Sequence, residues 1–287
     1  MRYSIQSIIT LAAAVAIVGV SSAQTPSQGT DSTNATSRGR GGRGAPSADR
    51  PAPRTDNNSR LGHEDLVAKA KKGGIDIYFE GDSITRRWGA TDYPQFLTNW
   101  TANFFGWNAT DFGWGADLTQ NILWRLENGE LDGVNPKIIV ILGGINNVGE
   151  TAGSDAKVED ITSGLKAIVK VCQEKASDAT IIITGIFPRN SNRNNPLGVM
   201  PTINKINDNL AKMAEGKKFR YININEKLAD KDGKLFPGMT VDNLHPTAKG
   251  YQIWADALKP IFTEILGPPA MTDHAPPPTG DPSAAGR

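Results

Sequence analysis

Cysteine and histidine are scarce in this chain, and their scarcity excludes several classes of protein. The 287 residues include one cysteine, Cys172, so no disulfide can form within the chain. The three histidines, His63, His245 and His274, are too few and too widely spaced for a standard histidine–cysteine metal site. We therefore expect no bound metal, and a buried, unreactive thiol at Cys172, which lies within a helical apolar pattern.

Excess charge and long apolar runs are also missing. The net charge is +1, and no aromatic residues interleave with the arginines and glycines of residues 37–44, so we expect no nucleic acid partner. The apolar run at residues 8–20 is shorter than the roughly 20 residues of a membrane span. It follows Arg2 and precedes the small residue Ala23, a pattern typical of a secretory signal peptide. We predict a secreted or periplasmic protein, cleaved after Ala23 and with no membrane span thereafter; an uncleaved anchor is the alternative.

Two segments of low complexity flank one region of ordinary composition. Residues 24–60 are rich in Ser, Thr, Gly, Pro and Arg, and residues 267–287 are rich in Pro, Gly and Ala. Such segments bury too little apolar surface to offset their ordering entropy, so both are predicted to be disordered. Residues 61–266 are predicted to form a single domain, with no feature that predicts an oligomeric state.

Apolar runs bounded by glycine or proline predict the strands of a sheet. The strong runs are Ile75–Phe79, Lys137–Leu142 and Ala179–Thr184, and the weak ones are Ala109–Phe112 and Phe219–Asn223. These runs do not alternate with polar residues, which is typical of parallel strands covered on both faces. Helical spacing occurs between them, at residues 118–128, 158–175, 203–213 and 248–266. The order predicts an α/β domain whose ligand site lies at the carboxyl ends of the strands.

A serine follows the first predicted strand, and an aspartate and a histidine precede the last predicted helix. Ser83 comes after Asp82 at a strand end, and a serine nucleophile needs an adjacent base. Asp242 and His245 are three residues apart, so the carboxylate can orient the imidazole. His245 is the only histidine in a strongly patterned part of the domain, which makes it the candidate base. Helix capping by Asp82 and Ser83, and a simple helix entry at residues 242–246, are the structural alternatives.

Two further loops follow predicted strands and carry hydrogen-bond donors. Asn146 and Asn147 follow the glycines at 143 and 144, and an asparagine amide can stabilise a developing oxyanion. The turn at residues 112–117 offers backbone N–H groups to the same oxygen. A glycine-rich turn is the alternative for the first loop, and a phosphate-binding loop, although without a lysine, is the alternative for the second.

These residues resemble the sequence blocks of the SGNH (GDSL-type) hydrolases. Residues 81–83 resemble the nucleophile block, residues 144–146 the asparagine block and residues 242–245 the aspartate–histidine block. Residues 121–147 are also closely similar to the catalytic subunits of platelet-activating-factor acetylhydrolases and their secreted bacterial relatives. The resemblance implies a flavodoxin-like three-layer α/β/α sandwich with a central parallel sheet, no cofactor and hydrolysis of small acyl esters.

The resemblance also implies a role for each matching residue. Ser83 is the expected nucleophile, His245 its base and Asp242 the group that orients His245. The expected oxyanion hole consists of the backbone N–H groups of Ser83 and Ala116 and the side chain of Asn146. The family has a glycine where this chain has Ala116, next to Gly115, and alanine is strained there only if the position needs a positive φ.

Export favours acetylated carbohydrate as the substrate of such an esterase. Trp88 and Trp114 flank the expected nucleophile and oxyanion loops and could stack on a sugar, although packing in the core explains them equally well. Asp82, Asn147 and Arg189 are further candidates for contact with the substrate. The alternatives are an acetyl-phospholipid hydrolase and a non-catalytic glycan-binding relative, which only Ala116 favours.

Overall fold

The computed structural model describes residues 46–214, 216 and 218–285, and the predicted signal peptide lies outside them. Five parallel strands form one sheet: β1 (Ile77–Gly81), β2 (Ala109–Asp111), β3 (Ile138–Leu142), β4 (Thr180–Thr184) and β5 (Phe219–Ile222). Their order is β2-β1-β3-β4-β5, which is the flavodoxin-like order. Every residue of β1 to β4 is buried, which explains their uninterrupted apolar pattern.

Helices cover both faces of this sheet. They are α1 (Asn57–Ala70), α2 (Ser83–Gly89), α3 (Pro94–Phe104), α4 (Thr119–Arg125), α5 (Ile145–Val148), α6 (Asp155–Lys175), α7 (Met200–Met213), α8 (Asn225–Leu228) and α9 (Ala248–Leu266). A π-helical turn, Leu126–Glu130, continues α4. Helices α2, α3 and α9 pack on one face, and α1, α4 and α6 lie on the other, so the predicted three-layer α/β/α fold is confirmed. Among the described residues, no helix combines the length and apolarity that a membrane span requires.

Helices α1, α2 and α3 are absent from the sequence-based prediction. For α3 a signal existed, because Phe96, Trp100 and Phe104 recur four residues apart after Pro94. All three aromatic side chains are buried in the core. The predicted strands, in contrast, match the observed ones to within two residues at each end.

The segments on either side of the domain differ from the expected disorder wherever the structure describes them. Residues 46–56, which we call the N-terminal segment, lie against α4, and the Ala52 N–H donates to the Gln120 carbonyl at 3.0 Å. After α9, the Thr279 carbonyl accepts a hydrogen bond from the Thr91 N–H at 3.1 Å. Composition predicts disorder from the lack of apolar burial, whereas these segments are held by polar and backbone contacts.

Candidate active site

The turn from β1 into α2 presents Ser83 at the carboxyl edge of the sheet. Asp82 is the N-cap of α2, and its Oδ1 accepts a hydrogen bond from the Ile84 N–H at 2.9 Å. A Cβ at position 81 would lie 2.3 Å from the Leu142 carbonyl oxygen, so only glycine fits at Gly81. The helix-capping alternative therefore describes this turn correctly, and it is compatible with a reactive serine beside the cap.

The structure brings Ser83, His245 and Asp242 into one hydrogen-bonded series. Ser83 Oγ lies 2.9 Å from His245 Nε2, and His245 Nδ1 lies 2.6 Å from Asp242 Oδ2. The other oxygen of Asp242, Oδ1, accepts the backbone N–H of His245 at 2.7 Å. This second contact fixes the carboxylate against the ring, so the imidazole presents Nε2 to the serine hydroxyl.

Burial and hydrogen bonding set the charge states of this series. Burial lowers the pKa of His245 below its usual value, against the opposing pull of its hydrogen bond to Asp242. Burial raises the pKa of Asp242, but the hydrogen bonds from the ring and backbone of His245 outweigh it, and the pKa falls to about 2. Arg87 Nη1, 3.6 Å from Asp242 Oδ2, lowers both pKa values. At neutral pH the series therefore holds a neutral imidazole and a carboxylate, the states that a general base and its orienting group need.

The turn at residues 112–117, which we call the Ala116 turn, follows β2. Ala116 is exposed and has a φ of 61°, in the left-handed region where an alanine costs about 1 kcal/mol. Asn146 lies at the start of α5, and its Nδ2 donates to the Asp117 carbonyl at 2.9 Å. An asparagine amide has two N–H groups, so this bond leaves one hydrogen of Asn146 to donate elsewhere.

Two of the expected substrate contacts are engaged with the protein. The side chain of Asn147 accepts the Thr119 N–H at 2.9 Å and donates to Gln120 Oε1 at 3.0 Å, so it fixes the start of α4. Arg189 Nη2 lies 3.0 Å from Glu150 Oε1, and its side chain is 11% exposed. Asn147 therefore holds the start of α4, and Arg189 holds the loop that contains Glu150.

Asp82 is buried completely, which corrects its expected role as a substrate contact. Its Oδ2 has no hydrogen-bond partner within the described part of the chain. Burial raises the pKa of Asp82 to about 7. The carboxyl group lies beneath the nucleophile turn and caps α2, and it has no surface to offer a ligand.

Trp88 and Trp114 are also corrected, because both belong to the packed interior. Trp88 has no exposed surface and stacks on Tyr251 with ring centroids 4.9 Å apart. Trp114 is 6% exposed, and its indole N–H donates to Ser59 Oγ at 2.8 Å. Neither ring is available to stack on a sugar, so the packing alternative describes both residues.

A buried ionic network beneath the Ala116 turn is the main feature that sequence reasoning missed. We call Arg125 and the carboxylates of Glu80, Asp117 and Glu130 the Arg125 network. Arg125 lies 2.7 Å from both Glu80 and Asp117, and it also pairs with Glu130. The signal was Glu80, which directly follows a strand predicted to be covered on both faces, because a buried charge requires a partner. Within the described residues, no group of three or more His, Cys, Asp or Glu side chains is arranged to hold a metal ion.

The fold and the site define the class of protein. A flavodoxin-like sheet with serine, asparagine and the aspartate–histidine pair at its strand ends is the arrangement of an SGNH-type ester hydrolase. The sequence profile of the GDSL-like Lipase/Acylhydrolase family matches residues 79–253. The chain belongs to this family, and it is an ester hydrolase.

Individual relatives support this assignment. The platelet-activating factor acetylhydrolase IB subunit alpha1 of Bos taurus is 31% identical over 205 residues, which cover 71% of this chain and 82% of the relative. The alpha2 subunit of Rattus norvegicus is 31% identical over 208 residues, with the same coverage of 71% and 82%. A GDSL-like lipase structure from Bacteroides thetaiotaomicron has a TM-score of 0.53 at 20% identity, covers 73% of this chain and 98% of its own, and shares the fold.

Proposed function

We propose that this protein is a serine esterase that removes short acyl groups, with acetyl as the preferred one. Ser83, His245 and Asp242 form its catalytic triad. The observation that carries the proposal is the 2.9 Å approach of Ser83 Oγ to His245 Nε2. Two relatives that are 31% identical over the aligned residues are named as acetylhydrolases, which supports acetyl as the acyl group.

The reaction proceeds in two steps on this site. Ser83 Oγ attacks the ester carbonyl while His245 Nε2 takes its proton, and Asp242 stabilises the imidazolium that forms. His245 then gives the proton to the departing alcohol, and water repeats the sequence to release the acid. The negative oxygen of each tetrahedral intermediate is held by the N–H groups of Ser83 and Ala116 and by the free N–H of Asn146.

Acetylated carbohydrate is our proposed natural substrate class, and acetyl-phospholipid is the second candidate. The predicted signal peptide supports the first, because an exported enzyme meets polysaccharides. The similarity to platelet-activating factor acetylhydrolases favours the second. Because Trp88 and Trp114 are buried, they give no support for a sugar substrate. The preference for acetylated carbohydrate over acetyl-phospholipid therefore depends on the predicted export alone.

Acetate release from a panel of acetylated polysaccharides and an acetyl-phospholipid tests the proposal. We expect Ser83→Ala to lose at least about 1,000-fold in turnover of every substrate and of 4-nitrophenyl acetate, with its folding intact. The exposed Ser177→Ala is the matched control and should retain full activity. A folded Ser83→Ala protein with wild-type activity would disprove the triad, and release from the phospholipid alone would replace the carbohydrate proposal.

A further inference from the structure

The N-terminal segment lies beside the loop that we assign to the oxyanion. It precedes residues 79–253, which match the family profile. The Ala48 carbonyl accepts a hydrogen bond from Thr119 Oγ1 at 2.9 Å, just after the Ala116 turn. These contacts bring the side chains of the segment within reach of the site.

Arg54 makes the direct connection between the N-terminal segment and the Ala116 turn. Its Nη1 donates to the Gly115 carbonyl at 3.0 Å and lies 3.4 Å from Asp117 Oδ1. The rest of the guanidinium is held by Asp56 Oδ2, at 3.1 Å from Nε and 2.9 Å from Nη2. Asp56 is the N-cap of α1, so the arginine is anchored to a helix at one end and to the turn at the other.

The Gly115 carbonyl and the Ala116 N–H belong to the same peptide group. In a trans peptide these two groups point in opposite directions, so a donor that fixes the carbonyl also fixes the direction of the N–H. The structure has no cis peptide among its described residues. Arg54 therefore controls where the Ala116 N–H points, although it does not contact that N–H.

The left-handed backbone of Ala116 makes this control necessary. With a φ of 61°, an alanine is strained, and a flip of the 115–116 peptide would relieve the strain and turn the N–H away. We propose that Arg54 is a positioning residue that opposes this flip and keeps the Ala116 N–H directed at the oxyanion. This inference rests on the proposed function, because it assumes that the Ala116 N–H stabilises the intermediate.

A double-mutant cycle between Arg54 and Ala116 tests the proposal in the full chain, with kcat and KM measured on 4-nitrophenyl acetate. Loss of a whole oxyanion donor costs about 100-fold or more, so a partly displaced donor in Arg54→Ala should cost roughly tenfold in kcat with little change in KM. Glycine adopts positive φ without strain, so in an Ala116→Gly background the same change should cost only about threefold. Arg50→Ala, an exposed arginine of the same segment, is the matched control and should leave kcat unchanged.

A purely structural role for Arg54 gives a different result. It would lower the Tm of Arg54→Ala and leave kcat unchanged, or it would give the same fold-decrease in kcat with alanine and with glycine at position 116. Either result overturns the proposal. Arg54→Lys keeps the charge beside Asp117 but lacks the planar guanidinium that binds Asp56 and the Gly115 carbonyl together. This variant should therefore fold and still lose several-fold in kcat. A wild-type kcat in Arg54→Lys also overturns the proposal. Ser83→Ala and Asn146→Ala distinguish failure of the proposed function from failure of the positioning role: if both lose turnover while Arg54→Ala keeps the wild-type kcat, only the positioning role fails.

Discussion

The two faces of strand β1 are stabilised by opposite kinds of interaction. On one face, Phe79 packs against five aromatic side chains: Trp88, Trp100, Phe104, Trp254 and Phe262. On the other face, Glu80 lies in the Arg125 network. Tyr78 Oη, on the same face, donates a hydrogen bond to Glu80 Oε2 at 3.4 Å. The contrast lies between neighbouring residues, because successive side chains of a strand point to opposite faces.

The difference teaches which face determines the geometry of the candidate site. Apolar packing is non-directional and tolerates a small change in shape, whereas paired charges fix the positions of their partners. Arg125 Nε lies 2.7 Å from Asp117 Oδ2, at the end of the Ala116 turn. The packed aromatic side chains should therefore contribute stability alone, and the ionic face should contribute both stability and the position of the oxyanion loop.

Removal of Arg125 is the strongest way to break this comparison. Arg125→Met leaves three buried carboxylates without their common partner, and we expect the free energy of unfolding to fall by about 3–5 kcal/mol. The kcat for 4-nitrophenyl acetate should also fall in the protein that remains folded. Asp117 loses its contact with Arg125 in this variant, so the end of the Ala116 turn is no longer held in place. Urea unfolding and steady-state kinetics measure the two effects.

Arg60→Met is the matched control for this substitution. Arg60 is exposed and pairs with Glu64 one helical turn away, so its loss should change stability by no more than about 0.5 kcal/mol. If Arg125→Met were as stable and as active as Arg60→Met, the Arg125 network would have no role in either stability or the site.

Substitution on the aromatic face should separate stability from activity. Phe79→Leu removes ring contacts from a fully buried side chain, and we expect a loss of about 1–3 kcal/mol in unfolding free energy. The kcat and KM should stay at wild-type values at 25 °C. The matched control is Phe105→Leu, at an aromatic residue that is 52% exposed and should tolerate the change. A large loss of kcat in a folded Phe79→Leu protein would contradict the assignment of site geometry to the ionic face.

Much of the fold follows from the sequence because parallel strands are buried on both faces and therefore apolar throughout. That pattern predicts all five strands, and the helix Ala248–Leu266 agrees at both ends. Helix α2 carries too few apolar residues for a periodic signal, since it begins with Ser83 and includes the paired side chains Arg86 and Arg87. Its position depends on the Asp82 cap and on the burial of Trp88, which are tertiary effects.

The reactive residues of the candidate site are predictable from the sequence, whereas the contacts that hold its loops in position are less so. The positions of Ser83, Asn146 and His245 after strands or before a helix indicate the edge of the sheet where they meet. The sign of φ at Ala116 is not encoded by the residue itself, because alanine disfavours the left-handed region, and it depends on bonds from Arg54 and Asn146 to its neighbours. These partners are 62 and 30 positions away, too far for a local pattern to reveal.

The smallest expected effect concerns Arg87. This arginine belongs to helix α2, which packs on the aromatic face, and it is the charged residue of that helix that lies close to Asp242. Arg87 lowers the pKa of His245, so Arg87→Gln should raise that pKa and move the acid limb of the kcat/KM profile to higher pH. Only neutral His245 can accept the serine proton, so activity should fall at pH 5–6, by no more than about fivefold, and stay unchanged above pH 8. Arg86→Gln is the control, because Arg86 pairs with Asp92 and should leave the profile unchanged. A shift of the acid limb to lower pH, or an equal shift in both variants, would show that Arg87 does not act on His245 through its charge, and the aromatic face would then contribute stability alone.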